Sequence, residues 1–460
     1  MMEKFKTGLL VILVLLSLVQ TYLLSYKMPS FGITTRSDID YVNTELLGKT
    51  KSVEEIIFPN ELIIHLGHDE HTIIHPKTQF YELIVSQRLA NREFKGFQIV
   101  SQTTTDWESM RRQYKGIELS FSEGISIDLL KKILKLDTEG LMMTEKIAVD
   151  RILIYADETT EEVKAFFFDQ QAKQVYESIR VDLTVKDIQD YVGFGQYMPR
   201  YEYVADALYL AMEPIQVKSM LFEYEIISPE QMQRSLFFDS SSTRAFVNRS
   251  GSQIYTDGKR GLQVEQGGLW ITFTNSAASQ ATTHSASENV YSAIDFVNQH
   301  GGWDTSYQFV SQKQNNDIDL VKFRKYIEQY PIVDISPFRY GFIEISIQQG
   351  VVIEYERTMI KLPTILEEKS IRWLFGGEQL KNQINSNPLK SEIQSVYAAL
   401  KAVPQASNIM RFEPVWAIRL KDGSEAVLME AIPEGIDPSK LYSSSSRAVE
   451  EVVTEGTVNN

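Results

Sequence analysis

The sequence of 460 residues contains no cysteine, which excludes disulfides, thiolate metal sites and cysteine nucleophiles. It also lacks a cluster of Lys and Arg, and its formal net charge is −15 at pH 7. Binding a nucleic acid requires a basic face, so this class of function is excluded. The motifs GxSxG, GxGxxG and the P-loop are absent, and "VGFGQ" at 192–196 has only two of the three required glycines. No motif for catalysis or for binding a cofactor is therefore found, and no cofactor is expected.

The first thirty residues contain a long uncharged stretch. No charged residue lies between Lys6 and Lys27. As a helix, residues 8–26 are about 28 Å long, close to the hydrocarbon thickness of a bilayer. A cleaved signal peptide is the alternative, but the run ends in "LLSYKMPS" and lacks the small residues of a cleavage site. We expect a transmembrane signal anchor over 8–26. Residues 1–7 would then be cytoplasmic and the remaining chain extracytoplasmic.

One side of this predicted span carries small and polar residues. Ser17, Thr21 and Ser25 recur every four residues, and Gln20 lies beside them. Small residues at this spacing let another helix approach closely, and an amide can form a hydrogen bond between helices. The four residues are therefore candidates for binding a partner within the membrane. A simple anchor that tolerates weakly polar residues is the alternative.

The residues after the span predict an α+β fold in three extracytoplasmic domains. The last two domains share one plan, a hairpin followed by a helix and two strands, and are expected to be alike. The predicted segments are an N-terminal domain at 27–227, a central domain at 228–330, a C-terminal domain at 331–435 and a disordered tail at 436–460.

Several elements have distinct local signals. Ser228 followed by Pro229 predicts a helix start, and Ser285 with Glu288 predicts a capping box. Asn387 followed by Pro388 predicts another helix start, with the helix ending before Pro404. Further helices are predicted over 76–91, 126–136 and 183–195, and strands over 149–158, 163–169 and 174–183.

Four of the six histidines lie in the eleven residues "HLGHDEHTIIH", from His65 to His75. Apolar residues flank a polar segment containing Gly67, a pattern typical of a β-hairpin that would bring His65 near His71 or Thr72. A metal site using His68, His71 and either Asp69 or Glu70 is the alternative, as is a pH sensor. There is no HExxH motif, so a surface hairpin is favoured. Replacing all four histidines by glutamine is then expected to cost little stability.

Four segments in their order along the chain resemble the YycH family of Gram-positive bacteria. They are the span "GLLVILVLLSLVQTYLL", the strand "PNELIIHLG", the helix "SPEQMQRSLFFD" and the strand "SPFRYGFIEISI". The resemblance implies one transmembrane helix, three extracytoplasmic domains and no enzymatic activity. It also implies action with a membrane-anchored YycI-like protein on the sensor histidine kinase WalK, also called YycG, which controls cell-wall metabolism.

Two other functions stay open at this point. An extracytoplasmic sensor module would need a deep pocket for a ligand. An anchored cell-wall enzyme would need a cleft containing carboxyl groups with perturbed pKa values. The residues do not indicate the direction of regulation.

Overall fold

The computed structural model describes most of the chain after residue 46. The described residues are 47–101, 105–139, 141, 147–169, 171–205, 208–248, 251–276, 285–315, 317–362 and 368–436, together with Lys6, Ser17 and Pro438.

Ten strands from the first half of the described chain form one sheet. Their order across the sheet is β10-β9-β2-β1-β4-β6-β7-β8-β3-β5, and every pair is antiparallel except β3 with β5. The strands are β1 (Glu61–Gly67), β2 (Glu70–Ile74), β3 (Glu93–Val100), β4 (Lys115–Ser126), β5 (Lys135–Asp137), β6 (Ala148–Asp157), β7 (Glu162–Asp169), β8 (Gln174–Val181), β9 (Tyr201–Tyr203) and β10 (Tyr209–Ala211).

A second sheet of fourteen strands follows in the order β13-β14-β15-β16-β21-β20-β18-β19-β24-β25-β11-β23, with β17 paired to β18 and β26 to β25. Short strands β12 and β22 pair separately. The strands are β11 (Ile215–Glu223), β12 (Glu225–Ile226), β13 (Arg244–Val247), β14 (Gln253–Thr256), β15 (Arg260–Glu265), β16 (Trp270–Asn275), β17 (Ser306–Asn315), β18 (Ile318–Ile327), β19 (Tyr330–Val333), β20 (Phe342–Gln348), β21 (Val351–Thr358), β22 (Ile360–Lys361), β23 (Glu368–Leu374), β24 (Ile393–Pro404), β25 (Ile409–Leu420) and β26 (Glu425–Glu430).

The helices are short and lie between strands. Two begin with the predicted capping interactions. The Gln231 amide donates to Ser228 Oγ at 3.2 Å, and the Glu288 amide donates to Ser285 Oγ at 3.3 Å. The helices are α1 (Val53–Ile56), α2 (Gln79–Tyr81, continuing as a wide π-helical turn over Glu82–Arg88 and a 3-10 turn over Leu89–Asn91), α3 (Trp107–Gln113), α4 (Ile127–Leu130), α5 (Val185–Phe194), α6 (Pro229–Leu236), α7 (Ala286–Gln299) and α8 (Gly377–Ser386).

The described chain is mostly sheet with some helices, an α+β architecture. The order strand, helix and two antiparallel strands occurs twice, as β16-α7-β17-β18 and as β23-α8-β24-β25. Strand β11 precedes residue 228 in sequence but pairs with β25 and β23. Pairing within the second sheet therefore crosses the predicted boundary at 227/228, and the domain boundaries stay a prediction.

Two local predictions are wrong. Residues 393–404 form strand β24, which pairs along its whole length with β25, although "YAALKA" has high helix propensity. Most residues of β24 from Val396 onward are buried, so pairing and packing outweigh that propensity. Asn387 ends helix α8 rather than beginning a helix.

The second is the helix predicted over 126–136. It is limited to Ile127–Leu130, and Lys135–Asp137 pairs with β3.

Hairpin β1–β2 lies between two hydrophobic cores. Leu62 and Ile64 belong to a core shared with the middle of the chain. Ile63 and Ile73 belong to a second core, formed mainly by the C-terminal region. Because alternate residues of a strand point to opposite faces, the hairpin is covered on both sides. The face containing Ile63, His65 and His71 is turned toward the second sheet, and we call it the junction face.

The predicted membrane span is almost wholly outside the described residues. Of residues 8–26 only Ser17 is described, and it is helical and exposed. No helix among the described residues is both long and apolar enough to cross a membrane. The predicted tail, apart from Ile436 and Pro438, also lies outside the described residues.

Candidate functional site: a buried histidine pair

The histidine-rich segment is a β-hairpin, as predicted. His68 and Asp69 form its two-residue turn with φ values of 55° and 63°. Positive φ at both positions is typical of the tight turns that connect twisted antiparallel strands. His68 is exposed, but His65 and His71 are only 1% and 0% exposed. The interpretation as a surface hairpin is therefore wrong, because the two strands are largely buried and the exposed residues are 68–70 at the turn.

The pairing of β1 with β2 places His65 directly opposite His71, one of the two partners predicted for it. The Nδ1 atoms of the two rings are 3.0 Å apart. The rings meet edge to face with centroids separated by 5.1 Å. Gly116 faces His65 across the next strand pair, where a Cβ atom would come within 2.5 Å of the Ile154 carbonyl oxygen. Glycine therefore permits the close approach of β4 to β6 beside the pair.

Behind His65 lies a fully buried carboxylate, Glu118 on β4. Arg111 Nε donates to its Oε2 at 2.7 Å, and Arg151 Nη1 donates to its Oε1 at 3.0 Å. His65 Nε2 lies 3.4 Å from Oε2. A buried charge is tolerated only when it is paired and hydrogen-bonded, and two guanidinium groups provide this pairing. Although burial alone would raise it, the guanidinium groups of Arg111 and Arg151 hold the pKa of Glu118 well below its usual range.

On the other side of the pair, His71 Nε2 lies 3.3 Å from Asp69 Oδ1. Arg112 Nη1 donates to the second oxygen of Asp69 at 2.5 Å. The rings of Tyr203 and Tyr209 pack against His71, with centroids at 6.1 and 5.3 Å. The result is a continuous chain, Asp69–His71–His65–Glu118, with a carboxylate at each end. We call these four residues the histidine chain.

The histidine chain has three contacts, and each needs one proton to become a hydrogen bond. Two neutral imidazoles supply only two protons. The distances fit a form in which His65 Nδ1 donates to His71 Nδ1 and His71 Nε2 donates to Asp69. The contact left without a proton is the longest one, at 3.4 Å, and His65 Nε2 has no hydrogen-bond partner among the described residues. A third proton, between His65 and Glu118, would complete the chain.

Burial opposes uptake of this proton. It lowers the pKa of His65, and burial together with the nearby His65 lowers the pKa of His71 to about 4. At neutral pH both rings are therefore uncharged. His65, His71 and Glu118 are buried, Asp69 is exposed at the turn, and the four groups are directed at one another, which suits a structural role or a response to acid better than catalysis on a substrate.

The predicted metal ligands are not brought together. His68 is exposed at the turn, whereas His71 is directed inward at His65 and Asp69. Within the described part of the chain, no three His, Asp or Glu side chains are arranged to hold a metal ion. Among the described residues of this cluster, only two imidazole nitrogens converge. They lie beside the guanidinium groups of Arg111 and Arg151, whose positive charge disfavours a bound cation.

The sequence did not identify Glu118, Arg111, Arg151 or Tyr209 as members of this cluster. One signal was available, because Glu118 interrupts the apolar run "GIELSF" at a position where a buried charge needs partners. Of the predicted partner-binding residues, Gln20, Thr21 and Ser25 lie outside the described residues. Ser17 is the only one of the four that is described.

Comparisons with known proteins cover nearly the whole chain. Two family models match it, "YycH protein, N-terminal domain" at residues 3–192 and "YycH protein, C-terminal domain" at residues 205–432. The "Two-component system WalR/WalK regulatory protein YycH" of Bacillus subtilis (strain 168) is 23% identical over 440 residues, or 91% of this chain and 94% of that protein. The crystal structure of YycH from Bacillus subtilis has a similar fold, with a TM-score of 0.66 and 20% identity over 83% of this chain and 98% of that one. The chain belongs to the YycH family.

Proposed function

We propose that this protein is a non-enzymatic accessory regulator of a WalR/WalK-type two-component system. The observation that carries the proposal is the match to the Bacillus subtilis regulator over 91% of this chain and 94% of the relative. The two family models match residues 3–192 and 205–432, so the proposal concerns the N-terminal segment as well as both sheets. The buried side chains of His65, His71 and Glu118, which contact one another, also favour regulation over catalysis.

The finer proposal concerns how the protein acts. It is anchored by the helix at 8–26, and its sheets lie outside the cell. There it contacts the sensor kinase WalK together with a YycI-like membrane protein. Ser17, Gln20, Thr21 and Ser25 form the contact within the membrane.

A reconstitution experiment tests the regulatory role. The kinase from the same bacterium is placed in proteoliposomes alone, with the full-length chain, or with the chain and the YycI-like protein. The kinase autophosphorylation rate is then measured. We expect the rate to change about fivefold or more, as a coupling free energy of 1–3 kcal/mol implies. An unchanged rate in both mixtures, together with no co-purification of the kinase, contradicts the proposal.

The anchor predicts a specific behaviour in cells. The full-length protein is expected to stay in the membrane fraction after washing with salt and carbonate, with its N-terminus intact. Protease added to wall-less cells is expected to digest the sheets. Mass spectrometry of the mature N-terminus checks the first result. A soluble form beginning between Tyr26 and Ser30 would show that the segment is a cleaved signal peptide.

The membrane contact is tested by replacing Ser17, Gln20 and Thr21 together with leucine. In lipid, helix association depends on packing and polar contacts, each interhelical hydrogen bond contributing roughly 0.6 kcal/mol. The triple variant removes the amide and adds bulk, so we expect normal insertion but loss of kinase or YycI-like protein on co-purification from membranes. Val19→Leu, on the opposite side of the helix, is the control. Equal association of the triple variant and the wild type would place recognition outside the membrane.

A further inference from the structure

A small cavity lies beside the histidine chain, where the junction face meets the second sheet. Its volume is about 50 Å³. Glu61, His75 and Arg151 line it from the first sheet, and Arg324 and Arg419 line it from the second. Since a water molecule needs roughly 10–15 Å³ of such space, the cavity holds about four water-sized groups.

Three guanidinium groups dominate the charge of the cavity wall. Arg151, Arg324 and Arg419 are 8%, 1% and 5% exposed. Their carboxylate partners lie outside the lining of the cavity. Arg151 pairs with Glu118, and Arg324 and Arg419 both contact Glu425. Among the described residues that line the cavity, Glu61 is the one carboxylic acid.

The lining also contains unused hydrogen-bond donors. Arg324 Nε and the Tyr209 hydroxyl are buried, and neither has a partner among the described residues. A buried donor without an acceptor costs about 1–3 kcal/mol. The wall of the cavity therefore combines excess positive charge with hydrogen-bond donors that lack an acceptor. An oxyanion supplies negative charge and acceptor oxygens.

We propose that this cavity binds a small oxyanion of the size of acetate or inorganic phosphate. Each has four or five non-hydrogen atoms, which matches the volume. Its oxygens would accept from the guanidinium groups and from Tyr209. The site lies between the two sheets, so a bound anion contacts both of them. The inference stands independently of the regulatory role proposed above.

An entrance to this cavity is provided by a wider cleft. Ser122, Leu208 and Gln394 line both the cavity and a neighbouring cleft of about 970 Å³. The cleft lies between the first sheet and the C-terminal region, with Lys313, Lys381 and Lys421 among its lining residues. A free anion can enter by this route, and the body of a longer molecule with an anionic end can lie in the cleft.

Glu61 makes binding dependent on pH. Burial raises its pKa to about 7, against the opposing effect of Arg151 and Arg419. The other titratable groups near it are the hydroxyls of Tyr201 and Tyr326 and, in the cavity wall, the imidazole of His75, whose pKa burial lowers to about 4. Near pH 7, Glu61 is therefore the group that changes charge. Its protonated form provides a donor, and its ionised form repels an anion.

The test uses the full-length chain in lipid nanodiscs and measures its thermal unfolding midpoint. Sodium acetate, sodium phosphate or the neutral isostere acetamide is titrated at an ionic strength held constant with sodium chloride. We expect acetate, phosphate or both to raise the midpoint by several degrees and to saturate, whereas acetamide does not. A midpoint that neither anion raises saturably, relative to chloride, overturns the proposal.

Two substitutions locate the anion. Gln394→Glu places a carboxylate at the entrance with little change of shape, and we expect it to abolish the effect. An undiminished effect in this variant would place the anion elsewhere and overturn the proposal. With acetate, affinity is expected to be about tenfold weaker at pH 8 than at pH 6, because only the protonated form of Glu61 accepts the anion. Glu61→Gln is expected to bind equally at both pH values, and loss of binding in that variant at pH 6 contradicts this role for the carboxyl group.

Discussion

Replacing Glu118 by glutamine is expected to lower the free energy of unfolding by about 3–5 kcal/mol, the typical cost of removing one partner from a buried ion pair. The carboxylate is fully buried, and Arg111 and Arg151 both donate to it. Glutamine retains the shape but removes the charge, leaving two buried guanidinium groups without their counter-ion. This amount is a large fraction of the stability of an ordinary domain.

Urea unfolding of the full-length protein, followed by tryptophan fluorescence, measures this change. Glu158→Gln is a matched control, since Glu158 is exposed and pairs with Lys115 at 3.2 Å. An exposed pair of this kind contributes 0–1 kcal/mol. Equal unfolding midpoints for the two variants would show that Glu118 is not the centre of the cluster. Replacing Arg111 and Arg151 by leucine in the Glu118→Gln background is expected to recover part of the loss, because no buried charge is then left unpaired.

The hairpin illustrates what local sequence determines. Two apolar runs around Gly67 were sufficient to predict two strands, a turn and the approach of His65 to His71, because strand pairing fixes which residues face each other. Its position inside the protein was not predictable in the same way. The residues covering the junction face, such as Tyr209 and Tyr330, lie far from the hairpin in sequence.

The same reason explains why the partners of Glu118 were missed. Arg151 lies 33 residues beyond it and reaches it only because β6 pairs with β4. The incorrect prediction of a helix over 387–404 had a different origin. A segment with good helix-forming residues becomes a strand when β25 pairs with eleven of its residues and most residues from Val396 onward are buried, and no local pattern contains that information.

Because His65 and His71 are buried, replacing all four histidines by glutamine is expected to lower the stability of the protein more than it would in a surface hairpin. The change was expected to be mild for a surface hairpin. In the folded protein the loss of His65 and His71 removes two enclosed rings that contact each other, Glu118 and Asp69. The expected loss of stability is accordingly that of a buried polar network rather than of an exposed turn.

Acid is expected to destabilise the folded protein steeply between about pH 6.5 and pH 4.5. Burial lowers the pKa of His71, His75 and His300 to about 4 in each case. Unfolding returns each imidazole to a pKa of about 6.5. Burial also lowers the pKa of His65. In this window the unfolded chain therefore binds four protons that the folded chain does not, and the free energy of the unfolded chain falls as the pH falls. Stability is highest with respect to these groups above pH 6.5 and is lost progressively toward pH 4.

Glu61 acts in the opposite direction. Its pKa is about 7 in the folded protein and about 4.5 when unfolded. Between these values the folded chain holds one proton that the unfolded chain does not, so this group contributes stability that is lost as pH rises through 7. The net difference near pH 5.5 is about three protons, four from the histidines less one from Glu61. At about 1.4 kcal/mol for each proton and pH unit, the free energy of unfolding changes by roughly 4 kcal/mol per pH unit.

Urea unfolding at half-unit steps from pH 4.5 to pH 8 measures this slope, and single substitutions divide it among the groups. His300→Gln removes a histidine of the central region, where the ring Nδ1 lies 2.6 Å from the Ser235 carbonyl oxygen, and is expected to reduce the slope by about a third. His71→Gln is expected to reduce the slope by a similar amount, although His71 lies at the junction between the two sheets. His68→Gln changes an exposed turn residue and is expected to leave the slope unaltered. A flat profile in the wild type would mean that the buried imidazoles take up protons without unfolding, so that the third proton of the histidine chain is accommodated within the folded structure.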